Sequence, residues 1–104
     1  SSARAARLSK AAKIPTKVPV ISYAFSRNPD VVAEVLLRAS GKCEHCKQNA
    51  PFKRKKDLQP YLEVHHIVQL AKGGEDTVAN ALALCPNCHR NLHFGLLPDH
   101  GAET

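Results

Sequence analysis

Tryptophan is absent from this chain and aromatic residues are scarce, with three Phe and two Tyr in 104 residues. So little bulky apolar material excludes a large core. A single small domain of this size draws at most about 3–5 kcal/mol from its core unless something staples it. No apolar run approaches the length of a membrane span. The basic N-terminus is not followed by the apolar stretch of a secretory signal, so the protein is expected in the cytoplasm. The chain opens on Ser1 rather than Met, and is expected to be a processed product or a piece of a longer protein. Acidic residues are missing from positions 1–29, which hold Arg4, Arg7, Lys10, Lys13, Lys17 and Arg27. That segment accounts for the whole formal net charge of +6, since the basic and acidic side chains after it cancel. A basic arm on a near-neutral domain fits a polyanionic partner, most often nucleic acid; the competing reading is a solvated tail.

With a small core, the four cysteines become the natural staple. They form two pairs, Cys43-x-x-Cys46 and Cys85-x-x-Cys88. In a chain without an export signal this pattern favours zinc, with a redox pair or two disulfides as the alternatives. Two such pairs complete a tetrahedral thiolate site, normally closed and structural. Zinc binding there would contribute on the order of 10 kcal/mol to folding. His45, inside the first knuckle, is expected to be exposed and without a role.

Along the chain, residues 1–14 are Ala-rich with a basic residue at every third position, which suits a marginal helix. Pro15 and Pro19 end it. Val18, Val20, Ile21, Tyr23 and Phe25 are expected to form a short strand or to pack on the domain edge. Asn28 can cap a helix that opens with Pro29 and carries Asp30 in its first turn. Val31, Val32, Val35, Leu36 and Ala39 give it an apolar stripe, and Gly41 ends it. Residues 47–60 read as a polar loop with Lys53, Arg54, Lys55 and Lys56, which either grips phosphate or forms a solvated hairpin tip. A strand and its exit are expected over Tyr61–Leu70, ending its regular part at His65 and His66. Gly73-Gly74 marks a turn, Asp76 or Thr77 can cap a short helical turn through Asn80, and Ala81–Leu84 is strand-like. Pro86 opens a helix that Gly95 and Pro98 stop. The expected organisation is a basic arm and linker over 1–27, a domain over 28–97 and a disordered tail over 98–104.

His89 and His93 lie one helical turn apart, so both imidazoles project from one face. Together with the adjacent pair His65 and His66 at a strand end, they can converge on one divalent cation and leave open positions on it.

The segments C-E-H-C (43–46), L-E-V-H-H-I (62–67), Gly73-Gly74, Asn80 and C-P-N-C-H-R-N-L-H (85–93) resemble the HNH endonuclease family in its four-cysteine branch. The resemblance covers about residues 28–95 and extends to the HNH modules of modification-dependent restriction enzymes. It implies a small α+β fold, the ββα-metal or His-Me finger, here with a structural four-cysteine zinc site and an additional N-terminal helix. It implies a metal-dependent endonuclease acting on double-stranded DNA. His66 would be the general base, His65 and His89 ligands of a catalytic Mg²⁺ or Mn²⁺, and His93 a further ligand found in some branches. Asn80, the middle letter of the motif, would hold the His66 loop through backbone hydrogen bonds. One such site nicks one strand; cutting both requires a homodimer or a second visit. Lys47 stands where the family often has Gly, and Gln69 where Pro is common. Glu63, on the strand face of His65, is expected either to orient a ligand imidazole or to face solvent. Arg4, Arg7, Lys10, Lys13, Lys53, Arg54, Lys55 and Arg90 are the candidate nucleic-acid contacts. Two readings compete: a non-catalytic zinc-ribbon DNA-binding module, and a nuclease subunit of a larger restriction or phage system.

Overall fold

Asn28 begins the packed part of the molecule. In the computed structural model, which describes residues 1–98, its side chain accepts the Asp30 N–H at 2.9 Å and opens a helix with Pro29 in the first turn. This cap satisfies one of the donors that a helix start leaves orphaned. The helix, α2 (Pro29–Ala39), follows an N-terminal helix α1 (Ser2–Lys10). Two strands, β1 (Glu63–His66) and β2 (Ala81–Leu84), pair antiparallel, and α3 (Pro86–Phe94) closes the chain of elements. Short 3-10 turns at Leu70–Lys72 and Val78–Asn80 lie between the strands. Among the described residues no helix is long and apolar enough to cross a membrane.

The core is small, as the composition requires. Val31, Val35 and Ala39 of α2 pack with Leu62, Ala81, Ala83, Leu84, Leu92 and the cysteines Cys43 and Cys85. The strand register sets Glu63 opposite Leu84, Val64 opposite Ala83, His65 opposite Leu82 and His66 opposite Ala81. Alternation therefore sends Ala81 and Ala83 into the core, where small side chains let α2 approach.

A polar brace ties the first knuckle to this core. Arg38 of α2 makes a two-pronged contact with Glu44, Nε to Oε2 at 2.8 Å and Nη2 to Oε1 at 2.7 Å. The same guanidinium donates to the carbonyls of Val78 and Ala81. Glu44 in turn accepts the Ala83 N–H, and its own N–H donates to the Ala83 carbonyl. The Arg38 hydrogen bond holds the Glu44 carboxyl below the ordinary carboxylate range.

Several local expectations change in the fold. Residues Val18 to Phe25 form no strand; all five apolar side chains there are exposed, Tyr23 at 95%. A single strand with no neighbour to pair with has no reason to form. Helix α1 ends at Lys10, so Lys13 lies beyond it, and none of its residues is buried. Ser40, ahead of Gly41, already takes the left-handed conformation that ends α2, at φ 54°. The regular part of the first strand is only Glu63–His66. Asp76 caps nothing: the 3-10 turn at Val78–Asn80 has Thr77 at its N-cap with no side-chain hydrogen bond. Residues 53–60 form a hairpin, bridged at Lys53 and Pro60 and closed by stacked Phe52 and Tyr61 rings at 4.7 Å. The expected disorder of the tail falls, but for Pro98, outside the described residues.

Candidate active site and metal centres

The knuckle sequences curl because each first cysteine collects backbone donors. Cys43 Sγ accepts the N–H groups of His45 and Cys46 at 3.4 Å, and Cys85 Sγ accepts that of Cys88 at 3.4 Å. Lys47, at the position where glycine is common in the resembling family, adopts φ 66°, the conformation that favours glycine. The four sulfurs lie within 4.8 Å of one another. Thiolates about 2.3 Å from a tetrahedral zinc would sit about 3.8 Å apart, so the cluster fits the ion. Burial works against ionising Cys43, but the surrounding N–H donors outweigh it and bring the thiol down to about 6. Cys88 is pushed well above its ordinary range, first by burial and then by the neighbouring sulfurs. A pocket that favours one thiolate and resists the next lacks positive charge, which a divalent cation supplies. The four cysteines are thus positioned for a structural metal, and the all-sulfur donor set is that of zinc.

The second centre assembles from β1 and α3. His65, His89 and His93 each bring a ring nitrogen within 4.8 Å of the others. The Nε2 atoms of His89 and His93 are 3.1 Å apart. Two ligands about 2.1 Å from one cation, at tetrahedral or octahedral angles, are separated by about 3.0–3.4 Å. Glu63 fixes the orientation of His89: its Oε1 meets Nδ1 at 2.8 Å, which turns Nε2 toward the trio. Its other oxygen accepts the Tyr61 hydroxyl at 2.7 Å. Tyr61 first, and His89 after it, hold the Glu63 carboxyl below its ordinary range, so it stays a carboxylate.

His66 faces elsewhere. Its Nε2 lies 2.9 Å from Asp76 Oδ1, while Asp76 Oδ2 accepts the Asn28 N–H at 2.6 Å. The Asn28 N–H and then His66 hold Asp76 ionised, with Arg27 a smaller contributor. Asn80 bonds the segment that follows the histidines. Its Oδ1 accepts the Val68 N–H at 2.9 Å, and its Nδ2 donates to the carbonyls of Val68 and Glu75. The Asn80 carbonyl also accepts the Ile67 N–H. Gly74 completes this loop; a Cβ there would overlap the Val68 carbonyl.

A cavity of about 290 Å³ opens over all four histidines, lined also by Phe25, Arg27, Gln69 and Leu70. The structure thus brings His65, His66, His89 and His93 to one cavity, with Asn80 just behind. It does not bring the candidate phosphate contacts together. Arg90 lies on α3 beside the trio, its guanidinium 5.8 Å from the Phe94 ring. Arg54 is paired with Asp57 at 3.3 Å on the hairpin that carries Lys53 and Lys55. Arg4, Arg7 and Lys10 are exposed on α1, with Lys13 beyond it. Sequence reasoning missed Asp76, Tyr61, Phe25 and Arg27. None falls at a ligand spacing, and only an acid just past a Gly-Gly turn hinted at Asp76.

The model of the family described as HNH endonuclease matches residues 43–95. Over 80 residues the chain is 49% identical to the Type IV methyl-directed restriction enzyme EcoKMcrA of Escherichia coli (strain K12), covering 77% of this chain and 28% of the relative. Over 33 residues it is 39% identical to Anaredoxin of Nostoc sp., covering 32% of this chain and 43% of that protein. Among solved structures, the Type IV phosphorothioation-dependent restriction endonuclease ScoMcrA superposes with a TM-score of 0.58 at 39% identity, over 67% of this chain and 13% of that one. The chain therefore spans only a part of each relative.

Proposed function

Because this chain belongs to the HNH endonuclease family, we propose that it hydrolyses phosphodiester bonds of double-stranded DNA, with His66 as the general base. The observation that carries this reading is the division of the histidines. Three converge on a point fit for one cation, and the fourth, adjacent in sequence, is held by a carboxylate in the same cavity. A Mg²⁺ or Mn²⁺ held by His65, His89 and His93 would supply Lewis-acid stabilisation of the phosphoryl oxygens and the departing 3′ oxygen.

The chain's own residues do the rest. With Nε2–H donated to Asp76, His66 presents Nδ1 to the attacking water. As the new O–P bond forms, the water proton passes to Nδ1. The P–O3′ bond breaks, and the 3′ oxygen takes a proton from solvent. General-base catalysis of this kind contributes about 10²–10⁴ in rate. Asn80 fixes the backbone after His66, and Glu63 fixes His89. Cys43, Cys46, Cys85 and Cys88 would hold the zinc, which would keep α3 docked against the sheet and the histidines converged.

One such site nicks one strand, so cutting both takes a homodimer or a second visit. The similarity to restriction enzymes, and the fraction of them spanned, support a nuclease portion of a longer restriction enzyme working in the cytoplasm. The domain proper is residues 28–97, with residues 1–27 as a basic arm. The test is supercoiled plasmid incubated with the protein and Mg²⁺ or Mn²⁺. Conversion to nicked circles by the wild type, lost in His66→Ala, is expected. Binding without cleavage under every divalent cation would instead favour a non-catalytic zinc-ribbon module.

A further inference from the structure

Arg27 belongs by sequence to the arm, yet it lines the cavity over His65, His66, His89 and His93. It also lines the adjoining cavity beside Glu63, His89 and Arg90. Of the described residues that line the first cavity, Arg27 is the only one with a permanent charge. Its place is anchored through its neighbour. The Asn28 N–H is held by Asp76, and the Asn28 side chain caps α2, so the backbone entering this residue is fixed at two points. The same Asp76 carboxylate holds His66. One side chain therefore sets the distance between the root of the arm and the proposed base.

We propose that Arg27 is a catalytic residue that contacts the scissile phosphate, and that Asp76 is the positioning residue that delivers it beside His66. The assignment rests on the nuclease reading above. The chemistry asks for such a group. Attack of water on a phosphodiester builds negative charge on both non-bridging oxygens; the cation held by the three histidines would offset part of it, and neutral imidazoles offset none. A guanidinium offers paired N–H donors matched to two phosphate oxygens. Removing one preorganised donor to a developing oxyanion costs about 10²–10³ in kcat.

The test compares Arg27→Ala, Arg27→Lys and a variant with Arg4, Arg7, Lys10 and Lys13 all changed to Ala. Each is assayed in the full chain for plasmid nicking at saturating DNA, Mn²⁺ binding by calorimetry and thermal melting. Arg27→Ala should lower kcat about 100-fold with Mn²⁺ binding and melting unchanged. Arg27→Lys should recover part of that loss. The fourfold variant should show its loss in DNA affinity, where Arg27→Ala shows its loss in kcat. Should Ala disturb melting, Arg27→Gln keeps the aliphatic stem and a polar end while removing the charge. A kcat within about threefold of wild type for the neutral variant, or a loss confined to affinity, overturns the assignment. Failure of the wild type to cut at all would instead overturn the nuclease reading, so the two outcomes are distinct.

Discussion

At the scale of single residues, the two imidazoles of His65 and His66 leave an extended backbone on different bearings. The His65 ring stands 5.3 Å from that of His89 and 5.1 Å from that of His93, while His66 meets Asp76. Their substitutions should separate accordingly. His66→Ala is expected to retain Mn²⁺ binding and to cleave more slowly by about 10²-fold or more. His65→Ala and His89→Ala should weaken Mn²⁺ binding as well, with partial rescue by excess metal. Asn80→Ala should bind Mn²⁺ but lose activity as the loop after His66 drifts. Calorimetric titration beside plasmid nicking decides it. If His66→Ala abolishes Mn²⁺ binding and His65→Ala changes nothing, the roles are reversed. The Tyr61 hydroxyl gives a second residue-level test. Its hydrogen bond to Glu63 raises it above its ordinary value of 10.0. A group raised in the fold stabilises it below the unfolded value, and that contribution disappears as pH rises through the folded value. Wild type should therefore resist urea better than Tyr61→Phe at neutral pH, and the margin should close above about pH 10. A margin that is constant up to strongly alkaline pH would mean that the ionisation of the hydroxyl is not linked to folding.

Elements here are short, and each is fixed by something other than its own length. A two-stranded sheet of four-residue strands is not stable alone. It is held by α2 on one side and by the cysteine cluster at the start of α3. Leu84 on β2 is fully buried in the core that α2, the sheet and the cysteines share. Leu84→Ala should cost about 2–5 kcal/mol, comparable to the whole core contribution of so small a domain. The metal should matter more. Cys43→Ser removes one of four clustered donors, and cooperative melting should be lost along with one equivalent of zinc by metal analysis. A Cys43→Ser protein melting like wild type would refute a structural zinc. These element-level features were largely legible. The cap at Asn28, the pairs at two-residue spacing and the histidines one turn apart are all local patterns, and local geometry fixes them. Whether Val18–Phe25 forms a strand or packs on the domain edge was not to be had from pattern alone. Alternating apolar residues specify a strand only where they pair with a partner edge, and this segment pairs with none in the fold.

For the whole molecule, charge is divided between a basic arm and a near-neutral domain. No residue of helix α1 is buried, so its cations are open to a phosphate backbone. Each phosphate neutralised contributes about 0.9 to the slope of log affinity against log salt. Removing residues 1–14, and with them Arg4, Arg7, Lys10 and Lys13, should flatten that slope by as much as about 3.6 and weaken DNA binding. Because Arg27 remains, kcat at saturating DNA should persist. Fluorescence-anisotropy titrations over a salt series provide the measurement; an unchanged slope would make the arm a bystander.

What the sequence determined by itself was the set of groups that are local in the chain. Two cysteine knuckles, a histidine pair at a strand end and a histidine pair on a helix face follow from spacing, because a turn of helix or a pleat of strand converts spacing directly into direction. The tertiary structure decided which distant groups those elements meet. Glu63 finds His89 across 26 residues, Asp76 joins His66 to Asn28 over a span of 48, and Arg38 reaches Ala81 over 43. Arg27 comes to the histidine cavity because α2 packs against β2 and Asp76 pins the N-cap, Asn28. None of these has a periodicity to announce it, since the packing of elements far apart in the chain sets such contacts, and no repeat within one element encodes them.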